Sequence, residues 1–239
     1  MIEILKNIQD RHSSRVLFDR EHPPVKHDIL EILEAARWAP TAHNMQNFEI
    51  IVVDDKTQIE RLGNIKFRIS EDFLEENYQQ LSFSEDELIQ KKVGILGTMF
   101  PESWRTRGDW SKVVRDSEPT PLEQTIRGSP TLLIVTYDGR KRAPASEGDL
   151  LGFMSLGCVM ENMWLAAQAL GIGFQIMSIF GDNSVESEVK EILDIPQYAK
   201  IAYAVRLGYP LSTPAKLLRV RRDVIELAHH NRFGNKHFV

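Results

Sequence analysis

The sequence predicts an α+β fold, and three observations carry that expectation. Residues 150–170 are Leu, Met, Phe, Val, Trp and Ala on every side, interrupted by Ser155, Glu161, Asn162 and Gln168. A helix that is apolar all round is a buried helix. Short runs of strand composition recur at 48–53, 131–137, 174–179 and 200–207, and helical patterns are interspersed among them.

Taken in order, Ile4, Leu5 and Ile8 share one face of a first helix that ends near the polar run Gln9-Asp10-Arg11-His12-Ser13-Ser14-Arg15. That run reads either as a solvated helix end or as two guanidinium forks with hydroxyls between them, offered to a phosphate. A second helix spans about 26–38, with Ile29, Ile32, Leu33 and Ala36 at helical spacing, and Pro40 ends it. The loop from Pro40 to Asn47 is rich in hydrogen-bonding side chains and leads into the strand 48–53, a setting that suits ligand contact. His43 there reads first as a loop histidine without chemistry. Ser84 and Glu87 have the spacing of a capping box. Trp104, Arg105, Arg107 and Trp110 form a basic and aromatic cluster, suited equally to stacking on a planar ligand or to covering a core. The run 131–137 is continuously apolar, as a central strand is. After the long helix, Gly171 and Gly173 mark a helix stop, and Gly181 follows the next strand. A helix at about 184–193, a strand at 200–207 and the stop Gly208-Tyr209-Pro210 complete the ordered pattern. The tail from Ser212 onward is basic, with Lys216, Arg219, Arg221 and Arg222, and then His229 and His230.

Composition narrows the function. The 239 residues are 42% hydrophobic and 26% charged, enough for one large domain or two small ones. A net charge of -5 argues against a nucleic-acid surface. Glu161 and Asn162 near the middle of the long helix argue against a membrane span. The single cysteine, Cys158, excludes an internal disulfide and a cysteine metal cluster, and the paired histidines lack ligand partners at metal spacing, so no metal site is expected. The first residues lack the pattern of a signal peptide, which makes the cytoplasm the expected location. Gly152, Ser155, Gly157 and Cys158 are small enough to admit another backbone, and a chain of this length has few helices with which to surround one completely. A second subunit is the expected cover.

Several of these segments together resemble the nitroreductase family of FMN-dependent oxidoreductases. Arg11-His12-Ser13-Ser14-Arg15 looks like the family's Arg-x-Ser-x-Arg/Lys motif, and Ala35 to Pro40 with Asn44-x-Gln46 looks like its helix-loop motif. Asn162-Met163-Trp164-Leu165-Ala166-Ala167 through Gly171 and Gly173 resembles its Asn-Met-x-Leu-Ala-Ala-x-x-Leu-Gly-x-Gly signature, and Leu207-Gly208-Tyr209-Pro210 completes the order. The family's usual Gln-Pro-Trp reads Gln46-Asn47-Phe48 here.

The resemblance implies one domain over 1–239, a central mixed sheet flanked by helices, an intertwined homodimer, and a variable substrate lid at about 55–123. It implies FMN at each subunit interface, with NADH or NADPH as hydride donor and a small planar electron acceptor. Arg11, Ser13 and Arg15 would meet the phosphate and the ribityl or pyrimidine side, with His12 inside the same motif, and Arg219 and Arg221 would reach the phosphate from the tail. Pro40, Thr41, Ala42 and Asn44 would meet the flavin of the other subunit. Ile179 to Gly181 would bring a backbone N–H towards flavin N5. No protein nucleophile is implied, because the flavin carries the chemistry. Family relatives also include reductive dehalogenases and a flavin-destroying enzyme, and a flavin-binding protein without turnover is a further alternative.

Overall fold

A computed structural model describes residues 2–81, 84–92, 108–213 and 220–236. The chain divides into two compact units, one of Met1–Phe67 with Pro119–Pro214 and one of Arg68–Glu118 with Ala215–Val239.

Helix α1 (Glu3–Asp10) precedes an extended segment, and α2 (Lys26–Arg37) buries Ile29, Ile32 and Ala36, the positions its periodicity marked. A 3-10 turn (Ala42–Asn44) leads into β1 (Phe48–Val53). Helix α3 (Lys56–Gly63) starts where the Asp55 carboxylate accepts from the Gln58 N–H, and a short strand β2 (Lys66–Phe67) follows. Then come α4 (Glu71–Leu81), α5 (Glu85–Gln90) and α6 (Trp110–Asp116). The capping box is present at α5: the Ser84 hydroxyl accepts from the Glu87 N–H, and the Glu87 carboxylate accepts from the Ser84 N–H at 2.8 Å. Strand β3 (Thr120–Pro121), helix α7 (Glu123–Ile126) and strand β4 (Thr131–Asp138) lead to the long helix α8 (Leu150–Ala169). Strand β5 (Gly173–Met177) runs into a second 3-10 turn (Ser178–Gly181), followed by α9 (Asn183–Ile192), β6 (Ala199–Gly208) and, in the tail, α10 (Val224–Leu227).

The first unit is built on a four-stranded sheet in the order β1-β4-β6-β5. All three pairings are antiparallel, so the sheet is antiparallel where a mixed one was expected, while the α+β class stands. Strand β4 is buried at all eight positions, as its continuous apolar run requires of a central strand. Alternation splits its side chains between two layers. Leu133, Val135 and Tyr137 join Ile32 and Ala36 of α2 and Leu156, Val159 and Met163 of α8 on one face. Leu132 and Ile134 join Ile59 and Leu62 of α3, Ile126 of α7 and Val185 and Val189 of α9 on the other. The expected strand at 174–179 stops at Met177: the chain turns there, placing Phe180 fully inside the second layer.

Helix α8 ends in a Schellman motif, with Gly171 at φ +70°, the Ile172 N–H on the Ala167 carbonyl and the Gly171 N–H on the Gln168 carbonyl. Asn162 in its middle donates to the Ala35 carbonyl at 3.0 Å, which ties α8 to α2. Its burial is one-sided within the chain. Ser155, Leu156, Val159, Met163, Trp164 and Ala167 are buried, whereas Leu150, Phe153 and Met154 are 61%, 53% and 60% exposed. Ile4, Leu5 and Ile8 of α1 are exposed as well.

In the second unit α4 and α6 meet through Tyr78 and Trp110, whose rings are 5.9 Å apart, and the Ser111 hydroxyl donates to Glu71. Lys92 pairs with Asp223 and Glu226 of the tail. Of the segment expected to vary, the described residues of 68–118 thus group with the tail, while 55–67 and 119–123 belong to the first unit. Trp104, Arg105 and Arg107 lie outside the described residues.

Candidate functional site

The segment 11–18 is fastened to the sheet at several points. The Ser14 N–H donates to the Phe174 carbonyl at 2.9 Å, and the Trp164 indole N–H donates to the His12 carbonyl at 3.1 Å. Phe18 is buried and bridges to Pro210. It fills a slot between Gly173 and Gly208, which face each other across β5 and β6, and a Cβ on either glycine would run into the Phe18 ring. Arg206, fully buried on β6, stacks 4.3 Å from the same ring and donates to the carbonyls of Ser14 at 2.9 Å and Val16 at 2.8 Å. Its other donors reach Gln175 and Ser129. The carbonyl between those two, that of Arg15, accepts from Arg127 at 3.0 Å.

On this frame the polar side chains divide. Arg11 lies 4.3 Å over the Trp164 ring, with its Nε 3.0 Å from a Glu161 carboxylate oxygen, so its charge is already partly matched inside the chain. The His12 ring Nδ1 lies 3.0 Å from the Asp10 carbonyl. The Ser13 hydroxyl has no partner among the described residues, and no carboxylate among them pairs with Arg15. Burial, and then the neighbouring Arg127 charge, pull the Arg15 guanidinium below its usual value. Burial, followed by Arg127 and Arg15, bring Arg206 down to about 10.

The loop 40–47 is the second element. His43, Asn44 and Gln46 all adopt positive φ, at 51°, 52° and 44°, a concentration of left-handed backbone that costs free energy without glycine. The loop is held by Ser155 of α8, whose hydroxyl accepts from the Ala42 N–H at 3.0 Å and donates to the Leu151 carbonyl. Thr41 accepts from the Gln46 N–H, and Asn47 donates to the Lys141 carbonyl. Pro40, His43 and Asn44 are exposed, and among the described residues the His43 ring meets no orienting hydrogen-bond partner. Asn47, which replaces the family's proline, thus ties the loop to the β4–α8 connection.

Both loops rest on α8 but on different turns. Ser155 and Trp164 are nine residues apart, or about 14 Å along the axis at about 1.5 Å per residue. Within one chain the structure therefore does not bring 11–15 and 40–44 to one point. The turn Ser178–Gly181 lies at the end of β5 away from Ser14, and Gly181 is small for an internal reason as well: a Cβ there would stand 3.1 Å from the Ile201 carbonyl oxygen. Arg221 is exposed in the second unit and donates to the Val220 carbonyl, while Arg219 lies outside the described residues. Sequence reasoning missed Arg206, Arg127, Phe18 and Ser155. A lone arginine in the apolar strand Ala202-Tyr203-Ala204-Val205-Arg206-Leu207 was a legible signal for the first.

Residues 8–209 match the sequence profile of the nitroreductase family, a span that contains both loops and the whole sheet. The chain belongs to this family. Among nitroreductase-family relatives, an Archaeoglobus fulgidus protein provisionally named NADH dehydrogenase/NAD(P)H nitroreductase is 26% identical over 210 residues, 88% of this chain and 87% of the relative. A Staphylococcus aureus NADPH-dependent oxidoreductase is 24% identical over 234 residues, 98% of this chain and 75% of the relative. A solved nitroreductase with bound FMN from Desulfitobacterium hafniense superimposes with a TM-score of 0.56 at 21% identity, over 93% of this chain and 95% of that one. The nitroreductase match ends at residue 209, so the tail arginines lie beyond it.

Proposed function

We propose that this nitroreductase-family chain is an FMN-dependent oxidoreductase that takes hydride from NADH or NADPH and passes it to a nitroaromatic, a quinone or a similar small planar acceptor. Support comes from relatives named for NAD(P)H-dependent reduction and from a fold neighbour that carries FMN. The observation that carries the reading is the chemistry of the donor set on segment 11–15. A half-buried guanidinium without a carboxylate and a hydroxyl without a partner, on backbone pinned by Arg206 and Phe18, fit the anionic groups of a flavin nucleotide.

In this reading Arg11, Ser13 and Arg15 hold the phosphate and the ribityl or pyrimidine side, with His12 positioned by its carbonyl bond to Trp164. Arg219 and Arg221 reach the phosphate from the tail. Pro40, Thr41, Ala42 and Asn44 meet the flavin of a second subunit, and Ile179 to Gly181 lie near its N5. When bound, FMN supplies the two-electron relay between nicotinamide and acceptor, in a ping-pong order. The segment at about 55–123 is the proposed source of acceptor selection, in a cytoplasmic enzyme that meets intracellular NAD(P)H.

The protein is further proposed to be a homodimer. Leu150, Phe153 and Met154 of α8 and Ile4, Leu5 and Ile8 of α1 leave large apolar side chains exposed, which a second subunit would cover, and the separation of the two loops along α8 leaves each to serve a different flavin. An anaerobic titration with NADH and with NADPH tests the function: bleaching of the bound flavin followed by recovery of intact FMN in air is the expected result. Failure of both nicotinamides to reduce it would overturn the reductase, and irreversible loss of the flavin would indicate a flavin-destroying enzyme.

A further inference from the structure

The guanidiniums of Arg127 and Arg206 converge on the backbone around a third arginine, Arg15. Arg206 takes the carbonyls of Ser14 and Val16, and Arg127 takes that of Arg15. Among the described residues every acceptor of Arg206 is neutral: two backbone carbonyls, the Gln175 amide oxygen and the Ser129 hydroxyl. Among the described residues no carboxylate lies within ion-pair distance of any of the three, although other arginines of the first unit, Arg11, Arg20, Arg37, Arg140 and Arg142, each have one. Burying a positive charge without a counter-charge is costly.

The cluster is also built at a conformational cost. Arg127 and Gly128 take positive φ in succession, +50° and +66°, immediately after α7. Left-handed backbone at a residue with a side chain is unfavourable. Here Arg20 holds it, donating to the Gly128 carbonyl at 2.9 Å and pairing with Glu123 at 2.7 Å. A Cβ on Gly128 would occupy the place of the Arg20 guanidinium. The turn delivers the Arg127 side chain to the Arg15 carbonyl, and after burial its charge is the next cause that lowers Arg15 and Arg206.

We propose that Arg127 and Arg206 belong to the flavin site, where with Arg15 they form a positively charged seat for an anionic group of FMN. Arg15 and exposed Arg127 offer the donors. Arg206, whose own donors are engaged inside the fold, is a positioning residue that sets the backbone of 14–16 and adds its charge through space. The inference rests on the FMN reading above. Two anionic features share the chemistry, the phosphate and the pyrimidine edge that gains charge on reduction, and they separate experimentally.

The test uses the full-length protein, freed of flavin and titrated with FMN and with riboflavin, in Arg127→Gln, Arg127→Lys and Arg206→Gln variants. Arg127→Gln is expected to weaken FMN about tenfold, to flatten the salt dependence of binding, and to be rescued by Arg127→Lys. Loss confined to FMN assigns the seat to the phosphate. Equal loss for riboflavin, with a midpoint potential lowered by about 30 mV for a tenfold preference in a two-electron couple, assigns it to the ring. Because Arg206→Gln risks misfolding, exposed Arg127 carries the decision. If wild-type protein binds FMN and Arg127→Gln matches it in affinity, salt dependence and potential, the seat is refuted while the flavin reading stands. Wild-type protein that binds no FMN overturns both.

Discussion

Ser155 connects the long helix to the 40–47 loop with one hydroxyl, accepting from the Ala42 N–H and donating to the Leu151 carbonyl. Ser155→Ala leaves the Ala42 N–H without its acceptor, at a cost of about 1–3 kcal/mol. Because the loop carries three residues at positive φ, it is expected to relax, lowering both the urea midpoint and FMN retention. Arg219→Ala should weaken FMN by roughly ten- to hundredfold if the tail meets the phosphate, and unchanged affinity would remove Arg219 from the site. Arg11→Ala is a less clean probe, since it also strands Glu161 and uncovers the Trp164 ring. For pH, the Asp138 carboxyl is held down to about 2 by hydrogen bonds from Arg140. A depressed carboxyl stabilises the fold above its unfolded value of 3.8, and that contribution disappears as pH falls towards 2. Acid unfolding of Asp138→Asn should therefore show a shallower slope across this window.

Among the elements, the pairing of Phe18 with the Gly173–Gly208 slot joins the 11–18 segment to the sheet. Phe18→Ala should cost about 3–5 kcal/mol, and Gly173→Ala, whose Cβ would meet the far edge of the Phe18 ring, about 1–3 kcal/mol through overpacking. In the double variant the methyl enters the space Phe18 leaves, so the two costs should fall short of their sum, as denaturant unfolding of the four proteins would show. Additive costs would mean the ring and the glycine do not share the space. The same slot marks where sequence reading stopped. Gly171 was legible as a helix stop because its reason is local, a left-handed residue after an apolar helix. Gly173 and Gly208 stand where they do because of a ring distant in sequence, and no local spacing encodes that. Asn162 and the helix it centres were legible by composition and resemblance, whereas its partner, the Ala35 carbonyl, was not. The end of β5 was misplaced because Ile179 and Phe180 have strand composition, but the second layer needs Phe180 inside and the chain turns to put it there. At the site, the arginine-serine motif was legible as residues. Its support from Arg206 and Arg127 was not, since both come from other parts of the chain.

For the molecule as a whole, α8 has two faces within one chain: one inside the first layer, the other exposed at Leu150, Phe153 and Met154. Gly157 is the position at which to ask what covers that second face, because a Cβ there meets nothing within 4 Å among the described residues. Inside a single chain Gly157→Leu should even gain somewhat less than ~1 kcal/mol of helix propensity, so lost assembly cannot be blamed on a damaged fold. Gly157→Arg adds a charge to the same face. The central claim, a flavin site completed by two chains, is tested most directly by sedimentation of wild type and Gly157→Arg followed at the flavin absorbance band. A wild-type dimer with about one FMN per chain, and a folded Gly157→Arg monomer from which the flavin has dissociated, is the predicted result. A folded monomer, wild-type or variant, that sediments with FMN bound at wild-type affinity would contradict it.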